Sequence, residues 1–380
     1  MTRKATHQGV KSHNRRLVLR SIFSGEATNR AALANHTGLT KPTISDIVAE
    51  LIADGFLEER GHGESTESGG KRPRLLHFKP TARQIIGVSI DASRAQGILA
   101  DLDGEIIASH HAKLNGAQGQ AAFAILQEVI NGLIAQHDAP LLCISIGTPG
   151  IVYSKQGLVK SAPLLGWYDL NLADQLGERY DVAVCVGNNT ELATRSLVTH
   201  AQEASVRNLV MILVNGSVEI GMVFNGRVYH HSGDLGLLRV PSDDNQLAAY
   251  LGWDFVTQRI AELRPRLAST LPDQPDYLDI RYGYTRGDAL CVQLYEELAG
   301  HISQIFAWIT GIIRPDHIAL AGDMVELGEQ IITLATQQTA AWLPPDLVDA
   351  VTYSLANDSL LSVTGAVAHG LERELLGVEI

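Results

Sequence analysis

NRAALANHTGLTKPTISDIVAELIADGFLEE, residues 29–59, is the stretch from which the rest of this chain can be read. It places Ile44, Ile47, Val48 and Leu51 at i, i+3, i+4 and i+7, the buried stripe of a helix over 41–54. Thr40 precedes that helix, and Pro42 falls in its first turn, where a missing N–H costs nothing. A second helix is predicted over 28–37, with Thr28 as N-cap and Gly38 as the left-handed stop. Upstream, residues 12–24 carry Val18, Leu19, Ile22 and Phe23 on one side, which predicts a first helix. Downstream come FLEERG (56–61), the polar run HGESTESGGKRPR (62–74) and LLHF (75–78). These predict two short strands around a Gly/Ser/Thr loop.

Three helices followed by a two-stranded wing make a winged helix-turn-helix over residues 1–80. In that motif the start of the third helix enters the major groove. The candidate DNA contacts are Arg30, Lys41, Pro42, Thr43 and Ser45, with Lys71 and Arg72 in the wing loop reaching phosphate or a narrow minor groove. Asp46 points the other way, since phosphate repels it, unless it accepts from a cytosine amino group. The competing reading is a small helical bundle with a solvated loop.

Charge favours the first reading. The whole chain carries −12, an average that hides an asymmetry. Residues 1–80 hold 13 Lys+Arg against 8 Asp+Glu, and the remaining 300 hold 17 against 34. A basic head on an acidic body implies that the head alone approaches nucleic acid. The 380 residues allow two to three domains. No apolar run is long enough for a membrane span, and the basic start is not followed by a signal-peptide core. Cys143, Cys185 and Cys291 lie far apart, as in a protein of the reducing cytoplasm.

Beyond residue 80 the pattern alternates. IIGVSI, QGILADL and EIIASHH predict three strands over 85–111, with DLDG as a hairpin turn. A helix over 118–137 and a buried strand LLCISIG follow, then AVCVG and a helix over 189–201. LVMILV and IGMVF form strands around NGSVE, and the last third is mostly helical with short strands near HIAL and AVTYS. This is an α/β body of two similar halves, a first lobe over 81–187 and a second over 188–380.

The sequence resembles the ROK family, which groups repressors, open reading frames and kinases. In the head, residues 29–59 and GGKRPRLL resemble the winged helix of the family's sugar-operon repressors, the xylose-repressor group among them. In the body the likeness runs through ISIGTPGIV, SAPLLGW, VCVGNNTELAT, EIGMVFNGRVY, SGDLGLL, IIRPDHIALAG and TGAVAHGL, in family order. It implies a two-lobed, actin-like sugar-kinase architecture (ribonuclease H-like) with a cleft between the lobes. It also implies carbohydrate genes as the target.

The same comparison predicts that the body is not an enzyme. Family kinases carry Asp-x-Gly-Gly-Thr in a first phosphate loop, where this chain has Ser89, Ile90, Asp91, Ala92 and Ser93. In the second glycine-rich loop Glu219 replaces a glycine. Both changes put negative charge where phosphate would sit. The catalytic Asp of the family is Asn189 here, and a neutral amide cannot take the hydroxyl proton at pH 7. Losing a general base alone costs roughly 10²–10⁴ in rate.

The resemblance places a sugar at Asn188, Asn189 and Asp234, with Glu191 one helical step beyond read either as a further contact or as a surface charge, but two polar positions of the family pocket have become Leu164 and Leu237. The family's structural zinc is not expected, because the run after Gly236, LLRVPSDDNQLAAYLGWDF, holds no cysteine and the zinc-site His is also Leu237. No cofactor is expected. Three readings stay open: a sugar-responsive repressor binding a palindromic operator as a homodimer or dimer of dimers, a sugar kinase with a DNA-binding head, and a ligand-independent regulator whose body only oligomerises.

Overall fold

The computed structural model describes residues 7–62, 73–200, 207–215, 217–239 and 246–377. The wing-loop residues Lys71 and Arg72 lie outside the described residues. By its internal contacts the chain divides into two compact units, residues 1–187 with 366–380, and residues 188–365.

The first unit opens with α1 (His7–Phe23), α2 (Arg30–Thr37), α3 (Lys41–Ala53), β1 (Leu57–His62) and β2 (Arg74–Phe78). The predicted stripe of α3 is buried at Ile44, Ile47, Val48 and Leu51, against Val18, Leu19 and Leu33 of the other helices, Leu57 and Leu76 being buried as well. Phe23 meets Phe78 edge to face at 5.3 Å, tying α1 to β2. One detail differs from expectation. The cap of α2 is Asn29, whose Oδ1 accepts from the N–H groups of Ala31 and Ala32. The carbonyl of Thr28 instead accepts the N–H of Leu76, so that residue serves the wing strand.

The body of this unit is built on β3 (Gln84–Ile90), β4 (Arg94–Asp101), β5 (Ile106–Lys113), α4 (Gln120–Ile134) and β6 (Leu141–Thr148). Then come β7 (Ile151–Tyr153), β8 (Leu158–Ala162), β9 (Trp167–Asn171), α5 (Leu172–Tyr180) and β10 (Ala183–Asn188). The main sheet has the order β10-β6-β3-β4-β5, and β7-β8-β9 form a separate small sheet that the sequence reading omits. Gly150, at φ 83°, admits no side chain there, since a Cβ would stand 2.1 Å from the Ser161 carbonyl oxygen.

The second unit contains α6 (Asn189–His200), β11 (Leu209–Val214), β12 (Val218–Phe224), β13 (Arg227–Asp234), α7 (Trp253–Leu263), α8 (Tyr277–Thr285) and α9 (Ala289–Ile313). It continues with β14 (His317–Gly322), α10 (Glu329–Thr339), α11 (Pro345–Asp349), β15 (Thr352–Leu355) and the first part of α12 (Leu361–Gly370). Its sheet order, β13-β12-β11-β14-β15, matches β5-β4-β3-β6-β10 strand for strand. Each half is an antiparallel meander extended on the side of its first strand, β14 and β15 being added in parallel. The long α9 is apolar on most sides because it is buried, with Leu294, Leu298, Ile302 and Phe306 in one core with Val210, Ile212 and Leu320.

The expected second lobe runs to residue 380, whereas the observed second unit stops at Gly365. The chain re-enters the first unit inside α12 and ends in a π-helical turn, Leu371–Leu375. That segment is fastened to the first unit. His369 pairs with Ser145 at 3.3 Å, Arg373 donates to the Ser154 carbonyl at 2.8 Å, and Cys185 donates weakly to Glu374 at 3.6 Å. Arg20 of α1 then donates to the Leu376 carbonyl at 2.8 Å, so this segment also touches the head.

Candidate DNA-binding and effector sites

In the head, Gly38 takes the left-handed conformation at φ 70° and ends α2, and Thr40 starts α3 two residues later. The Thr40 hydroxyl accepts from the Thr43 N–H at 3.4 Å and pairs with the Thr43 hydroxyl at 2.8 Å. This cap fixes the direction of α3 and leaves its opening turn outward. Lys41, Pro42, Ser45 and Asp46 are exposed there and Thr43 is half-buried. Two cations of α1 face anions at the far end of α3, Lys11 with Glu50 at 2.7 Å and Arg15 with Asp54 at 2.6 Å. The first turn of α3 thus keeps Lys41, while negative charge near its end is offset.

Arg30, the first residue of α2, is ion-paired with Glu59 of β1. Arg74, the first residue of β2, bonds the other oxygen of the same carboxylate at 2.7 Å. Bonds from Arg74 and then Arg30 hold the Glu59 carboxyl below the usual glutamate range. Sequence reasoning selected Arg30 and missed Glu59, because a β-strand partner 29 residues away leaves no local signal.

In the first unit, Asp91 stands in the turn between β3 and β4. One of its oxygens accepts from the Ser93 N–H at 2.7 Å, the Ser93 hydroxyl at 2.6 Å and the Arg94 N–H at 2.9 Å. The carboxylate is therefore consumed by its own turn, where the sequence reading gave it only a repulsive role. Thr148 is buried and donates to the Pro149 carbonyl at 3.3 Å, a loop role. Leu164 is exposed.

In the second unit, Asn188, Asn189 and Glu191 come together where β10 passes into α6, and all three are buried. The Asn188 carboxamide oxygen accepts from the N–H groups of Thr190 at 2.8 Å and Glu191 at 3.1 Å, capping α6. Its nitrogen donates to Glu219 at 3.4 Å, and the Thr190 hydroxyl bonds the same Glu219 oxygen. Glu219, expected in a glycine-rich phosphate loop, thus lies in β12 and turns toward the start of α6. The Asn189 carbonyl accepts from Ser362 of α12 at 3.3 Å. Strand register sets position 234 of β13 opposite Glu219, while the side chains of Asp234 and Leu237 lie outside the described residues. Three of the four candidate residues thus lie together at the start of α6, with Thr190 and Glu219 hydrogen-bonded among them.

Cys143, Cys185 and Cys291 are free and buried. Among the described residues no three His, Cys, Asp or Glu side chains are grouped to hold a metal ion, and no helix is long and apolar enough to cross a membrane.

Comparison with known proteins adds to this geometry. Residues 85–243 match the ROK family. The xylose repressor of Bacillus subtilis is 29% identical over 238 residues, which is 61% of this chain and 61% of that protein. A ROK family transcriptional regulator, described as a homologue of the E. coli MLC protein, superposes with a TM-score of 0.80 over 97% of this chain and 98% of its own, at 20% identity. A ROK family glucokinase from Streptomyces griseus, solved with glucose and AMPPNP, has a TM-score of 0.63 over 75% of this chain and 98% of its own, at 18% identity. At those identities the structural likeness speaks for the fold alone. The chain carries a ROK family domain over residues 85–243.

Proposed function

We propose that this chain is a DNA-binding transcriptional regulator, a repressor of carbohydrate-metabolism genes, whose kinase-shaped body does not transfer phosphate. The observation that carries the reading is the outward first turn of α3, with Lys41, Pro42, Thr43 and Ser45 presented on a rigid, well-capped helix. Lys41, Arg30 and the wing's Lys71 and Arg72 supply phosphate contacts, and Thr43 and Ser45 read base edges. Two copies bring two heads to a palindromic site with half-sites about 34–36 Å apart or a multiple. The work is done where the chromosome is, in the cytoplasm.

Selection of duplexes from a random pool by the purified chain tests this. Thr43→Ala and Ser45→Ala are expected to change the ranking of recovered sequences more than overall affinity. An unchanged ranking in both variants would sink the docking scheme. For the body, Asn189 in place of a carboxylate predicts no ADP release over a panel of sugars with MgATP. Turnover that a change at Asn189 abolishes would restore the kinase reading.

One observation favours a body without a sugar effector. Asn188, Thr190 and Glu219 satisfy one another, leaving less polar capacity for a hexose. A thermal-shift screen separates the two. A monosaccharide at 100 times its Kd stabilises by about 2.7 kcal/mol, and a screen with no shift for any sugar or phosphosugar selects the ligand-independent regulator.

A further inference from the structure

We propose that Glu59 is a specificity-setting residue of the head: it occupies two phosphate-seeking arginines and so suppresses binding to DNA that lacks the cognate site. The inference rests on the DNA-binding reading above. Arg30 and Arg74 come from different elements, the start of α2 and the start of β2, and each bonds one oxygen of the Glu59 carboxylate. Neither pairing is two-pronged, so each guanidinium spends only part of its five N–H groups.

Fold stability explains the Arg74 arm of the cluster poorly. Exposed ion pairs contribute on the order of 0–1 kcal/mol, and the Arg74 side chain is 64% exposed, against 35% for Arg30 and 20% for Glu59. A cation at the first position of a helix also faces the positive end of the helix dipole, so Arg30 is badly placed for helix stability. Both arginines are well placed to meet an anion from outside. Arg74 follows the wing loop directly, and Arg30 opens the helix that precedes α3.

A carboxylate between two arginines offers them a pair of charged oxygens, as the two unesterified oxygens of a phosphate diester do. Any duplex must compete with it, and the Glu59 charge itself repels the backbone. Non-cognate DNA, which has only phosphate contacts to offer, feels this cost in full. A cognate site adds base-edge contacts through α3 and overcomes it.

Glu59→Gln removes the charge and keeps the shape and a hydrogen-bond acceptor. The full-length chain is titrated with a 30-base-pair duplex of mixed sequence across a salt series, beside a duplex recovered by selection. Glu59→Gln is expected to raise affinity for the mixed duplex roughly three- to tenfold at low salt and to steepen log K against log salt by about one. The preference for the selected duplex falls. A merely structural Glu59 would lower affinity for both duplexes without steepening the slope, and that result, or no change, overturns the proposal. Glu59→Ala is the second variant and must steepen the slope likewise. If the native chain binds no duplex at low salt, the DNA-binding reading fails and this inference falls with it. Native binding with an unaltered slope in both variants refutes the inference alone.

Discussion

Leu51→Ala is expected to abolish duplex binding while the body stays folded. Leu51 has no solvent exposure, and it packs in a head core with Val18, Leu33, Ile44, Val48, Leu57 and Leu76, all at 2% exposure or less. Truncating a leucine in such a place costs about 2.7–5 kcal/mol, as transfer free energy and residual cavity add. A module of this size draws roughly 3–5 kcal/mol from one core. The loss is therefore as large as the head's own margin. The direction of α3 comes chiefly from the Thr40 cap and this stripe, because the exposed Lys11–Glu50 and Arg15–Asp54 pairs add on the order of 0–1 kcal/mol each. Hydrogen exchange should show rapid amide exchange over residues 17–57 with protection retained in β3, β6 and β11, and gel shifts should show no complex. Ser45→Ala on the exposed face should change stability by no more than about 0.5 kcal/mol. Duplex binding that survives Leu51→Ala would mean that the winged fold is not what grips DNA.

Much of this head was legible in the sequence because its signals are local. The i, i+3, i+4, i+7 stripe, the cap at Thr40 and the stop at Gly38 each need only a few neighbouring residues. The charge distribution was legible only as a sum. Lys11, Arg15, Arg30 and Arg74 all have carboxylate partners remote in sequence, so the tally of 13 Lys+Arg overstates what DNA meets, while the net excess is unchanged. The small β7-β8-β9 sheet escaped because its strands are three to five residues long and broken by Gly157, Pro163 and Gly166. Such short runs carry too few alternations to register.

In the body the same distinction holds. Strands β3, β4, β6, β11 and β14 are apolar runs whose nature is visible residue by residue. Asn189 was legible only through the resemblance, where the family's Asn-Asp pair falls on Asn188 and Asn189. The direction of Glu219 was not legible, because it depends on β12 lying beside α6, a contact between segments some 30 residues apart. The return of residues 366–377 to the first unit was equally hidden. A helix does not encode which core it will reach, and α12 changes units with no break in composition.

Gly365→Ala is expected to destabilise the second unit, against the usual sign of such a change. In an exposed helix, alanine is favoured over glycine by about 1 kcal/mol. At Gly365 of α12, however, a Cβ would stand 1.8 Å from the Leu192 carbonyl oxygen and 2.4 Å from its carbon. Those are backbone atoms of α6 and cannot rotate away. Either the two helices separate or the peptide distorts, and overpacking of this kind costs about 1–3 kcal/mol or more. Gly300 of α9 is the internal control, since a Cβ there meets only the flexible end of Gln338 at 3.4 Å. Gly300→Ala should be neutral or stabilising by up to about 1 kcal/mol. Urea unfolding of both variants tests the pair of signs, and equal effects would mean that α12 does not approach α6 as closely as drawn. The consequence reaches the candidate effector site. The α6 helix begins with Asn189, Thr190 and Glu191, and Ser362 of α12 bonds the Asn189 carbonyl. Pushing α12 outward breaks that bond before it disturbs any strand. If a sugar binds there, Gly365→Ala weakens it without touching a residue that contacts it.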